Sequence, residues 1–413
     1  MSYEAMYQYY REQAVLPTHG RFQSESDLNA HEAHRRDLFT QKLFLPSRLF
    51  RDARLIEFGP DAGENSLVFA RWGASCTLVE PNPKAHPVIK DYFAKFALAR
   101  ELTGLECCDV KAYAKRPELG AKFDFIDAEG FIYTVKPDSL WIDLFRRIAN
   151  DDGFVILFYC DPFGNFFELF TKVIHARLRE ITGLNPLETA HKLFLTKWNS
   201  IPHKRSMESW VMDVMENPFV RLRYFLEPQA LCRQMLDAGF NLYSSWPAYK
   251  DALAIDWFKK TPTPAEQLRA QNKFIACSRL SQLFGRKHFM PEPDPALEKR
   301  LSDLLFVMDG LIDRFNASLA DQCVAHLAVI ASVLSSDSVL ADERDTALAL
   351  DAVKSTQSIL QLLKSDIPDD LIEFCNTDQG FIQTWGMPSH FAVFQKMRSS
   401  ETTVFPEESS AEK

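Results

Sequence analysis

The chain has 413 residues, 46% apolar and 25% charged, enough for one large core or two smaller ones and too apolar for a disordered polymer. Its net charge of −9 argues against a protein that holds long nucleic acid by neutralising phosphates. No basic and apolar leader opens it, no uninterrupted apolar run reaches the ~18 residues of a membrane span, and the eight cysteines have no metal-binding spacing. The expectation is a cytoplasmic protein with free thiols, no membrane contact and no metal.

In chain order, residues 1–50, with Arg35 and Arg36 in a mixed helical pattern, read as an N-terminal lid segment. From 51 to 160, short β-rich runs alternate with helical stretches, as in a parallel sheet with crossover helices. Strands are expected at 55–58, 76–80, 105–108, 123–126 and 154–159, and helices over 65–72, 85–102 and 139–150, the last capped by Asp138. Residues 161–224 are helical and aromatic, too long for a simple connection, and read as a cap over the sheet's ligand edge. Within 225–261 Glu227 and Pro228 open a helix that Gly239 ends, and 240–243 read as a sixth strand. Residues 262–370 read as a helical insertion opened by a capping box, Thr263 with Glu266 around Pro264. The stretch 371–398 carries a last strand at 390–394, and the polar tail 399–413 is expected to be disordered.

The chemistry concentrates where the first strand ends in Glu57, Gly59, Pro60, Asp61 and Gly63. Glycines there let the backbone turn tightly beside a ligand, and the helix that follows offers free N–H groups. Glu80, before Pro81 and 17 residues past Gly63, ends the second strand, where a carboxylate can accept both hydroxyl protons of a ribose. Asp109, followed by Val110, ends the third; it can accept from the exocyclic amine of adenine or cap the next helix. Asp127, Ala128 and Glu129 open from the fourth strand onto the same edge, where open parallel sheets bind ligands. A nicotinamide dehydrogenase fingerprint would need glycine at 59, 61 and 64, and the chain has Gly59, Asp61 and Glu64.

Residues 55–65, followed by Gly73-Ala74 and by Leu78-Val79-Glu80-Pro81-Asn82, resemble the first two motifs of class I S-adenosylmethionine-dependent methyltransferases. The resemblance covers residues 50–160 well and 227–246 more loosely. It implies S-adenosylmethionine as cofactor, with Gly59 and Gly63 beneath its methionine part, Glu80 at its ribose and Asp109 facing adenine. That family often has a third, central glycine where this chain has Asp61. The expected fold is α/β, a Rossmann-like seven-stranded, mostly parallel sheet with a helical cap and a C-terminal helical insertion.

Methyl transfer from a sulfonium depends chiefly on alignment, and a base is needed only for a hydroxyl or a protonated amine. His203 and Glu208 in the cap and Tyr159 at the end of strand five are the candidate catalytic residues, with His175, His191, Asp161 and His390 in reserve. Residues 165–224 carry nine basic and six acidic residues, a field suited to an anionic acceptor or simply a solvated helix face. The expected activity is methylation of a hydroxyl, amine or carbon on a small organic acceptor: a sugar, sugar nucleotide or specialised metabolite. The alternative is a non-catalytic binding or assembly protein that keeps the fold and uses its C-terminal helices as a partner interface. Those helices could also mediate a homodimer.

Overall fold

The computed structural model describes residues 8–9, 22–117, 119, 123–202, 205–251, 253–254, 257 and 259–398; the expected tail 399–413 lies outside them. Seven strands form one sheet: β1 (Arg54–Phe58), β2 (Ser75–Val79), β3 (Leu102–Glu106), β4 (Phe123–Glu129), β5 (Ala149–Cys160), β6 (Phe240–Trp246) and β7 (Ser389–Lys396). Their order is β3-β2-β1-β4-β5-β7-β6. Each of the first five strands is followed by a helix, so neighbouring strands among them run parallel. β7 enters antiparallel between β5 and β6.

Several boundaries differ from the sequence reading for local reasons. The helix Ala85–Lys95 stops short of 102 because Ala97 turns left-handed, at φ 57°. Gly104 lies inside β3 instead of before it, packed against Thr77 of β2, where an added Cβ would come within 3.0 Å of the methyl. Pro137 caps the helix Asp138–Ile148, with Asp138 as its first residue. The capping box of Thr263 and Glu266 forms as expected, each side chain bonding the other's backbone N–H.

Side-chain alternation divides the core. On one face Leu55, Phe125, Ile156 and Val393 pack beneath Phe39, Phe50, Phe69 and Trp72, so the N-terminal segment from Phe22 onward roofs this side. On the other face Ile56, Phe58, Ala128, Leu157, Tyr159 and Phe394 join a core that runs through helix Asp138–Ile148 into the region 161–224 and the C-terminal helices. The region 161–224 is therefore bound to those helices, and three of its arginines serve that junction. Arg177 pairs with Asp366 at 2.7 Å, Arg221 with Asp313 at 3.6 Å, and Arg223 with Asp309 and Asp313. Arg179 and Arg205 pair inside the region with Glu216 and Asp213. Lys172 and Lys197 are buried and donate to the carbonyls of Asn217 and Phe381.

Helix Ala317–Leu334 is long and apolar enough to cross a membrane by length and composition, an exception to the expectation from uninterrupted runs. Its buried residues Ala320, Cys323, Leu327, Ile330 and Leu334 form one stripe, and it packs against Pro295–Asp313 and Glu343–Leu362. All eight cysteines are free thiols.

Three glycines lock the helical insertion to the sheet. A Cβ on Gly164 would lie 1.9 Å from the Met387 carbonyl oxygen, one on Gly386 2.2 Å from that of Gly164, and one on Gly285 2.6 Å from that of Gly386. Backbone meets backbone at each contact, so no side-chain adjustment relieves a clash. Gly164→Ala should therefore lower stability by roughly 3 kcal/mol, the upper end of overpacking costs. Denaturant unfolding monitored by circular dichroism checks this.

Candidate functional site

The carboxyl ends of β1, β2 and β4 bring most of the predicted group together. Residues 59–63 form a turn in which Gly59, Asp61 and Gly63 take φ of 65°, 53° and 88°. Asp61 thus occupies a left-handed position, which aspartate tolerates better than most residues, and a glycine is dispensable there. Its N–H donates to Glu80 Oε2 at 3.2 Å, tying the turn to the end of β2. Glu80 also accepts from the Asn82 N–H at 2.6 Å. Burial pushes the Glu80 carboxyl up to about 8, with Asp61 adding to the effect.

Beneath the turn lie Glu57, Asp127 and Glu129, all on the face roofed by the N-terminal segment. Ser66 donates to Glu57, whose carboxyl is raised by burial and by the neighbouring Glu129. Asp127 is fully buried, and among the described residues no N–H or O–H group donates to either of its oxygens, which face the Glu129 carboxyl. Its pKa is raised well above the ordinary range by burial, then by Glu129 and Glu57.

The counter-charge comes from a residue that the sequence reading placed only in a lid. Arg35, on helix Glu25–Asp37, is 4% exposed and grips Glu129 with two bonds of 2.8 and 2.7 Å. Its guanidinium lies over the rings of Phe39 and Phe69, at 4.8 and 5.2 Å. Asn65 donates to the same carboxylate at 3.1 Å. A dibasic pair in a helical pattern was the available signal; only the packing identifies Arg35, since Arg36 is exposed and pairs with Glu32.

Other predicted residues sit differently. Asp109 caps the helix Val110–Ala114, its Oδ1 accepting from the Ala112 N–H at 2.7 Å, so the capping role is realised. The side chains of Val110 and Ala128 enter the opposite core, leaving only their backbone toward the edge. Tyr159 also lies on that opposite face, fully buried and bonded to Tyr249, whose hydroxyl meets His390 Nδ1 at 2.6 Å. Burial raises the Tyr159 phenol and lowers His390 to about 3, so neither is poised as a base on the glycine-turn side. Glu208 is exposed on the short helix Met207–Trp210, and His203 lies outside the described residues. His175 is buried and bonded to the Pro186 carbonyl at 2.8 Å.

Phe131, which the sequence reading passed over, sits on the turn that follows β4. Its ring comes so close to Gly59 that a Cβ there would lie 2.7 Å from the ring edge. Gly59 is favoured by its positive φ, and a larger residue there would also have to displace the Phe131 ring.

A family profile described as a methyltransferase domain matches residues 30–245. The chain matches no curated protein sequence. Similar solved structures include the N-methyltransferase NodS from Bradyrhizobium japonicum WM9 in complex with S-adenosyl-L-homocysteine (14% identity, covering 38% of this chain and 74% of that one, TM-score 0.27). A protein designated a sarcosine dimethylglycine methyltransferase, from Galdieria sulphuraria, aligns over 90% of this chain and 86% of its own at 9% identity and TM-score 0.35. TehB from Haemophilus influenzae aligns at 17% identity over 31% of this chain, with TM-score 0.25, and the chain spans 46% of the TehB length.

The buried acids should leave a mark on stability. Between an ordinary value near 4.5 and a folded value of about 8 for Glu80, the native chain keeps a proton that the unfolded chain has released. Unfolding therefore becomes easier as pH rises across that window, and Glu57 and Asp127 act in the same direction. The thermal midpoint should fall from pH 5 to pH 8, and Glu80→Gln should flatten the slope. Differential scanning calorimetry across that range checks both.

Proposed function

This chain belongs to the methyltransferase-domain family, with S-adenosylmethionine as its cofactor, and we propose that it moves the cofactor's methyl group to a small organic acceptor at the carboxyl ends of β4 and β5. One observation supports the donor site above the rest. Beneath the positive-φ positions of the turn at 59–63, the buried Glu57 and Asp127 and the part-buried Glu129 cluster about the Arg35 guanidinium, and among the described residues no N–H or O–H group donates to Asp127. Such an excess of buried acid suits a ligand that carries positive charge.

The residues present fit the cofactor. Asp127 would accept from its ammonium group, Arg35 would face its carboxylate in competition with Glu129, and Glu80 would accept from the ribose hydroxyls. The bound cofactor supplies a methyl group already activated on a sulfonium, so the protein's share of the work is alignment and exclusion of water. Phe131, packed on Gly59, provides an apolar wall on the acceptor side.

A specialised metabolite fits the acceptor side better than a sugar phosphate or sugar nucleotide. The cations of region 161–224 that recommended an anionic acceptor are, among the described residues, held by carboxylates or buried carbonyls.

Calorimetric titration with S-adenosylmethionine tests the donor site. Wild-type protein should bind, and Asp127→Asn and Glu80→Ala should each weaken binding by roughly 10- to 100-fold, the worth of one hydrogen bond to a charged group. Absence of binding to the wild type, or affinity unchanged in both variants, overturns the assignment. Arg35→Met should also destabilise the fold by roughly 3–5 kcal/mol, the usual cost of stripping one partner from a buried ion pair.

A further inference from the structure

The sheet carries a row of large aromatic side chains that begins at the donor site. Glu129 of β4 is in register with Phe158 of β5, Phe158 with Phe391 of β7, and Phe391 with Trp246 of β6. Residues paired in register share a face, so all four lie on the side of Arg35 and the acids. At strand spacings of ~4.8 Å the row runs for about 14 Å from Glu129 to Trp246. The Phe158 and Phe391 rings stand 4.9 Å apart, tilted by 38°. At the donor end Phe131 covers Gly59, and Gly130 lies beside Phe158, an added Cβ there being 3.6 Å from that ring.

A second set of aromatics on the same face shows what a purely structural row looks like. Phe50 stacks on Phe125 at 4.3 Å, Phe125 on Phe154 at 5.5 Å, and Phe154 meets Tyr243 at 5.2 Å. That set is roofed by the N-terminal segment and belongs to its core. The row above it is more open only toward its far end: Phe158 and Phe391 are part-exposed, as Phe154 and Tyr243 are, Phe391 packs against the same core, and Trp246 is 40% exposed. Lys42 stands over the Trp246 ring at 5.2 Å, marking the far end with positive charge.

Resting on the donor-site reading above, we propose that this row is the acceptor shelf and that the acceptor is a planar aromatic molecule, lying along Phe158, Phe391 and Trp246 with its methyl-accepting atom at the Glu129 end. Flat rings exchange their contacts with water for stacking on such a surface, whereas a saturated, hydroxylated sugar would give up its hydration for apolar faces. The row's continuity with Glu129 places a bound ring beside Phe131 and the glycine turn.

The test uses 2-naphthol as a planar probe and methyl glucoside as a saturated one, titrated by calorimetry with and without S-adenosylhomocysteine. Wild-type protein should bind 2-naphthol in preference to the glucoside. Trp246→Ala combined with the apolar, ring-removing Phe158→Leu should weaken 2-naphthol by at least tenfold while S-adenosylhomocysteine affinity holds within twofold. Trp246→Ala alone, at an exposed position, gives a smaller loss in the same direction if the double variant fails to fold. No saturable binding of 2-naphthol, preference for the glucoside, or 2-naphthol affinity within twofold in the variants overturns the shelf. Should S-adenosylhomocysteine fail to bind while 2-naphthol binding remains sensitive to these substitutions, the donor-site reading falls and the shelf stands.

Discussion

Among the described residues, Arg35 is the one cation that meets the acids at the ends of β1 and β4, and the architecture of that edge of the sheet follows from it. Three carboxyls converge there because strand alternation puts Glu57, Asp127 and Glu129 on one face. Taken out of water together, they could not remain ionised without compensation, since the desolvation cost of each far exceeds the energy of a surface contact. The bidentate pair with Glu129 offsets part of that cost and anchors helix Glu25–Asp37 to the sheet. The remaining mismatch falls on Asp127 and Glu57, whose pKa values rise by burial. That electrostatic strain is the basis of the proposed affinity for a cationic ligand.

The two sheet faces have been given different work. One is closed by region 161–224 and the C-terminal helices, stitched together by arginine–carboxylate pairs and by the glycine contacts at 164, 285 and 386. The other is closed by an N-terminal segment that buries Phe50 and Phe125 and leaves Trp246 at the far edge exposed. The buried Tyr159–Tyr249–His390 chain belongs to the first face and holds β5, β7 and the segment after β6 in place. A residue at the end of a strand was thus no guarantee of access to the site: parity along the strand decided which side it served.

How much could be read in the sequence depended on the range of the interactions involved. The strands, the turn at 59–63 and the carboxylates ending β2, β3 and β4 are written locally, in apolar alternation, in glycine and in chain spacing. For that reason the placement of Gly59, Gly63, Glu80 and Asp127 at one edge of the sheet was legible from their neighbours alone. The capping role of Asp109 was equally visible, as a short-range hydrogen bond.

Tertiary structure alone decided three things. It selected Arg35 over Arg36, because only packing against Phe39 and Phe69 distinguishes two adjacent basic residues on one helix. It paired Arg177, Arg221 and Arg223 of region 161–224 with Asp309, Asp313 and Asp366, partners some 90 to 190 residues away in the chain. And it aligned Phe158, Phe391 and Trp246 into one row, since register between strands far apart in sequence has no local signature. The sequence by itself determined the sheet and the turn at 59–63, because those rest on periodicity and backbone conformation. The folded chain decided which charges are paired and which aromatic faces stay open, because burial is a property of the whole molecule.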